Sequence, residues 1–155
     1  MPQIKFGLFL PTGDYHQAET AAKWADDSGF HSVSLNDHFI SQDGGTDAPQ
    51  LECLSTLTAI AAVTSNVRLV PSVLAASHRT PAMLAKMTAT IDNISRGRFT
   101  LSIGAGWNQA EYLAHGYRFP PATERLDRLA ETIQVVKAMW TQDDACYSGR
   151  HEHIE

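Results

Sequence analysis

The chain has 155 residues, 43% of them hydrophobic and 19% charged, with a formal net charge of -5. That length suits one domain with a core of its own, and the composition excludes a disordered or coiled-coil chain. Basic residues scattered under a net negative charge leave no footprint for nucleic acid or an anionic membrane, so a small molecule is the expected partner.

The opening MPQIKFGLFLP holds one Lys and a brief apolar run before Pro11, without the charged leader and cleavage site of a signal peptide. A cytoplasmic setting is therefore expected, and no apolar run reaches the ~20 residues that cross a bilayer. Four runs rich in branched or aromatic residues follow one another at βα spacing: IKFGLFL from Ile4, HSVSLN from His31, VRLVPSV from Val67 and RFTLSIG from Arg98. Between them, Ala18, Ala21, Ala22 and Ala25 fall at helical spacing, and Leu84, Met87, Ile91 and Ile94 repeat the stripe in the third interval. Asp14 is placed to cap the first helix, Gly29 to stop it and Pro81 to open the third. A fourth helix is predicted from about Ala122 to Trp140, with Leu126, Leu129, Ile133 and Val136 on one side. The tail CYSGRHEHIE reads as the opening of a further strand.

Strand and helix in alternation mean an α/β fold with a parallel sheet, either an open doubly wound sheet or a (β/α)8 TIM barrel represented by about four βα units. Residues 1–155 form one domain on this reading. Both architectures place active residues at the carboxyl ends of strands, where SVSLNDHF presents Asn36, Asp37 and His38. His38 either handles a proton there or makes one surface hydrogen bond; position alone leaves the two readings even. The loop ISQDGGTDAPQ after it is either a flap or merely faces solvent. GAGWN, Gly104 to Asn108, lets backbone approach a flat or phosphorylated ligand, but Gln109 replaces the third glycine of a dinucleotide fingerprint. In PSVLAASHRTP the strand exit carries His78 and Arg79, the latter read as solvated or paired with a carboxylate. Cys53 and Cys146 have no CxxC spacing, and His151 and His153 lack a third ligand, so no metal site is expected.

FGLFLP (Phe6 to Pro11), WADDSGF, SVSLNDHF, AIAAVTSNVRLVPSV, RTPAMLAKMTATIDNISRGR and FTLSIGAGWNQAEYLAHGYRFP run in one order along nearly the whole chain. Together they resemble the amino-terminal half of the luciferase-like monooxygenase superfamily, and specifically its deazaflavin-dependent branch. The resemblance implies a (β/α)8 barrel that binds coenzyme F420 or FMN with the ring over the strand ends. It implies His38 as the catalytic proton handler, with Asp37 beside it on the coenzyme side. Ser72 and Val73 match the backbone bulge behind the ring, where a non-prolyl cis peptide is expected, and Gly104, Ala105, Gly106, Trp107 and Asn108 match the cofactor-side loop. Some deazaflavin dehydrogenases carry a carboxylate near Trp107; its absence speaks against a sugar-phosphate dehydrogenase.

The implied activity is hydride transfer between coenzyme F420 and a small organic substrate. The alternatives are an FMN-dependent monooxygenase using reduced flavin and oxygen, and a non-catalytic half-barrel or assembly partner. The chain reads as truncated before the fifth strand, and open strand edges lead to an expected homo-oligomer.

Overall fold

A computed structural model describes residues 4–42 and 47–155. Residues 43–46, inside the loop read as a flap, lie outside the described residues. The fold has two compact units: Met1–Val73 with Ile91–Ser102, and Leu74–Thr90 with Ile103–Glu155.

In the first unit, β1 (Gly7–Phe9), β2 (Ser32–Leu35) and β3 (Arg68–Pro71) form a parallel sheet in that order. Gly7 lies opposite Ser32, and Leu35 opposite Pro71. Val33, Leu35 and Leu69 are fully buried, as alternation requires of strands with one covered face. The helix α1 (Tyr15–Asp27) starts where Asp14 accepts the Gln17 N–H at 2.9 Å and ends before Gly29, whose φ is 77°. Ala18, Ala22 and Ala25 make its buried stripe; their small side chains let the helix lie close to its neighbours. A helix not evident from the sequence, α2 (Cys53–Val63), is capped by the Glu52 carboxylate, which accepts the Leu54 and Ser55 N–H groups at 3.1 and 2.6 Å.

Pairing in the third run stops at Pro71 and resumes at Leu74; between them the Ser72–Val73 peptide is cis, as expected at that bond. The fourth run pairs less than expected. Phe99 makes one isolated parallel bridge to Leu69, and β5 (Ile103–Gly104) pairs over two residues with β4 (Leu74–Ala75) in the second unit.

The second unit continues with a 3-10 turn at Ala76–His78, α3 (Pro81–Ser95, whose last turn belongs to the first unit), α4 (Gln109–Ala114) and α5 (Ala122–Thr141). Two of the expected stripes shift. On α3, Leu84 and Ile91 are buried, but Ile94 is 40% exposed, and Thr88 and Ser95 are buried instead. Polar residues can take those places because the Thr88 hydroxyl donates to Leu84 O at 2.6 Å and the Ser95 hydroxyl to Asp92 O at 3.1 Å, leaving no unmet donor. On α5 the buried face is Thr132, Val135, Val136 and Ala138, while Leu126 is 57% exposed and Ile133 37%. The tail does not open a strand of the parallel sheet. It folds back on itself, β6 (Tyr147–Ser148) pairing antiparallel with β7 (His153–Ile154). Glu131 of α5 fixes this hairpin by accepting the consecutive N–H groups of Arg150, His151 and Glu152 at 2.9, 2.9 and 2.8 Å. No helix among the described residues is long and apolar enough to cross a membrane.

Candidate functional site

In the first unit, β2 and β3 run parallel and end level, Leu35 opposite Pro71. The sheet register therefore delivers Asn36, Asp37 and His38 to the same edge as Ser72 and Val73. The strand end is held by backbone: Ser72 N–H donates to Leu35 O at 2.7 Å, and the buried Cys53 thiol donates to the same carbonyl at 3.6 Å. Asn36 is tied sideways, its Oδ1 accepting Gln50 Nε2 at 2.9 Å. Asp37 is only 7% exposed. Half-buried His38 follows it directly in the chain, so β2 leads straight into a carboxylate and an imidazole, the side chains that general acid–base chemistry uses. Val73 leaves half its surface open at this edge.

The second unit carries the other stretch singled out in the sequence. Gly104 ends β5, Gly106 has φ of 78°, and the Asn108 side chain caps α4 by accepting the Glu111 N–H at 3.2 Å. A Cβ at Gly106 would run into the Tyr112 hydroxyl, so both the backbone conformation and the space below require glycine. Tyr112 is buried, and its hydroxyl accepts from Ser77 Oγ at 2.7 Å, tying the loop after β5 to the turn after β4. Trp107, next in the chain, is 68% exposed. Sequence reasoning missed Tyr112 and Ser77. Tyr112 sits one turn into a short helix, where nothing in the sequence marks it as the floor of the loop.

The rings of His78, Tyr112 and Tyr117 cluster, the His78 centroid 4.8 Å from Tyr112 and 5.1 Å from Tyr117. His153 Nε2 lies 3.1 Å from Glu155 Oε1, and among the described residues no three His, Cys, Asp or Glu side chains gather as metal ligands.

Parallel βα units with polar residues at the strand ends define an α/β scaffold of the kind that carries its site at the carboxyl edge of the sheet. The chain belongs to the luciferase-like monooxygenase family, which it matches over residues 4–155. It is 33% identical to an uncharacterized protein of Mycobacterium tuberculosis, over 94% of this chain and 56% of that protein. It is 34% identical to an F420-dependent glucose-6-phosphate dehydrogenase of Amycolatopsis mediterranei, over 84% of this chain and 39% of that enzyme. Among solved structures, the monooxygenase RslO1 from Streptomyces bottropensis superimposes with a TM-score of 0.82 at 27% identity, covering 97% of this chain and 47% of that one. The chain thus spans about half the length of the relatives it matches, and it represents a half-barrel of the family fold.

Proposed function

We propose that the protein is an oxidoreductase that moves hydride between coenzyme F420 and a small organic substrate. The observation that carries this reading is the buried Asp37 beside His38, delivered by β2 to the strand edge where Ser72 and Val73 emerge from β3. When bound, the deazaflavin supplies the two-electron hydride chemistry. His38 accepts or returns the accompanying proton at an imidazole nitrogen, and Asp37 orients the ring. The exposed Val73 side chain and the Ser72 backbone suit one flat face in the first unit. In the second unit, the small residues Gly104, Ala105 and Gly106 and the exposed Trp107 ring suit a planar ligand, with Asn108 fixing the loop.

Likeness to an F420-dependent dehydrogenase supports the deazaflavin, and likeness to a monooxygenase supports the second reading, FMN with oxygen as oxidant. Cys53 and Cys146 form no disulfide among the described residues, and a cytoplasmic setting belongs to the same proposal. Self-association belongs to the same proposal: α5 exposes Leu126, Ile133 and Trp140 at seven-residue intervals, a stripe suited to a second copy of the chain. The test of the coenzyme is a titration of the purified protein with F420 and with FMN, followed by absorbance and tryptophan quenching. Tighter F420 binding is expected; tighter FMN binding moves the protein to the second reading, and binding of neither overturns both.

A further inference from the structure

We propose that Gln50 and Asn36 form a specificity subsite at the carboxyl edge of the first unit's sheet, which takes a neutral N–H or O–H donor group of the substrate, an amide or an alcohol. The two carboxamides are already joined, Gln50 Nε2 donating to Asn36 Oδ1 at 2.9 Å. The same nitrogen lies 3.3 Å from Leu51 O, and a carbonyl only accepts, so the amide is oriented with Nε2 on that side and Oε1 on the other. The backbone around Gln50 is held from two elements. Leu51 N–H donates to Thr12 O at 2.7 Å in the loop after β1, and the next residue, Glu52, caps α2. Asn36 leaves β2 one residue beyond the Leu35–Pro71 pair, level with Ser72 and directly before Asp37 and His38. The joined pair therefore stands at the strand edge that carries the proton handler of the oxidoreductase reading, on which the assignment to a substrate rests.

One acceptor of this fixed pair is unmet. Gln50 Oε1 is enclosed and has no hydrogen-bond partner among the described residues. An enclosed amide oxygen without a donor costs stability, and a bound molecule that brings an N–H or O–H removes that cost. Asn36 Nδ2 donates to no group among the described residues, so the same pair also offers a donor to a ligand oxygen. Amides and alcohols carry both a donor and an acceptor, whereas a carboxylate carries acceptors only and leaves Oε1 unmet. A site with a buried acceptor discriminates against an analogue that lacks the donor, because that analogue leaves the acceptor both desolvated and unpaired. Gln50 thus selects and positions the substrate, while His38 handles the proton.

The experiment is a nitrogen-edited NMR titration of the isotope-labelled full chain, which follows the side-chain amide resonances of Gln50 and Asn36. The probes are acetamide, ethanol, dimethylacetamide and acetate, each with and without F420. Acetamide or ethanol is expected to shift both resonances, with binding about tenfold weaker or absent for dimethylacetamide and acetate, which supports the subsite. The tighter of the two donor probes tells an amide from an alcohol. Gln50→Met keeps the length of the side chain and removes the acceptor, and should weaken the donor probe about tenfold; where this variant fails to fold, the probe series on the wild type decides alone. Donor-probe binding that persists with F420 bound supports a substrate group, and displacement of the probe by F420 overturns that assignment. Donor-probe binding in a chain that binds neither F420 nor FMN leaves the subsite standing and removes the oxidoreductase reading. F420 binding with no probe binding, or with no preference for the donor probes, overturns the subsite and keeps that reading.

Discussion

Asp26 and Arg98 grip the peptide groups of Val67 from both ends: Asp26 Oδ1 accepts the Val67 N–H at 2.7 Å, and Arg98 Nη1 donates to the Val67 carbonyl at 2.8 Å. Asp26 also accepts the Ser65 and Asn66 N–H groups, at 2.8 and 2.7 Å. Arg98 also donates to the Ala61 and Thr64 carbonyls, both at 2.9 Å, at the C-terminal end of α2. The two side chains thus satisfy the turn between α2 and β3, where helix carbonyls and loop amides would otherwise lack partners.

Asp26→Ala is expected to cost about 1 to 2 kcal/mol, at the lower side of what charged hydrogen bonds contribute because the site is partly open to water. A double-mutant cycle with Arg98→Ala should show coupling of about 0.5 to 2 kcal/mol, since both act on one turn. Urea unfolding of the four proteins measures it, and strict additivity would contradict the shared role.

Burial pushes the Asp26 carboxyl up, but the Ser65, Val67 and Asn66 amides, with Arg98, outweigh it and hold the group below its usual range. Its contribution is therefore full above the unfolded value near ~3.9 and is lost as pH falls through the lower folded value. In Asp26→Asn the acid side of the stability curve should flatten. An unchanged curve in acid unfolding experiments would show that the carboxylate adds nothing there.

Glu131 follows the same sign. Burial raises its carboxyl, the three hairpin amides and His151 hold it below its usual range, and the contact is lost as pH drops. Amide resonances of Arg150, His151 and Glu152 should titrate together in the wild type below neutral pH and lose that step in Glu131→Gln.

At Gly106, substitution by Ala meets both a positive φ and the Tyr112 hydroxyl. A loss of about 1 to 2 kcal/mol is expected from the backbone alone. Tyr112→Phe removes the hydroxyl and should recover part of it; thermal melts of the two single variants and the double variant decide.

His38→Ala should lower turnover by ~100-fold to 10,000-fold with little change in coenzyme affinity, as for a general acid or base. Steady-state kinetics of the active protein provide the test, and unchanged turnover would remove His38 from the chemistry.

The local sequence determined the strands β1 to β3, the Asp14 cap, the Gly29 stop and the Pro81 start, because each rests on neighbours within a few residues. It also brought Asp37 and His38 to the end of β2, since strand periodicity fixes where the polar residues begin. Helix α2 stayed hidden because CLSTLTAIAAV is apolar or small nearly all round, so no one-sided stripe marks it. Which apolar residues of α3 and α5 are covered was decided only in three dimensions. Periodicity names the candidates Ile94, Leu126 and Ile133, but burial depends on which face meets a partner, and Thr88, Ser95 and Thr132 take those places once their hydroxyls find acceptors or packing. Likewise, the grip of Asp26 and Arg98 on Val67 and the hydrogen bond between Ser77 and Tyr112 join residues far apart in the chain, and sequence spacing carries no distance between such groups until the backbone has folded.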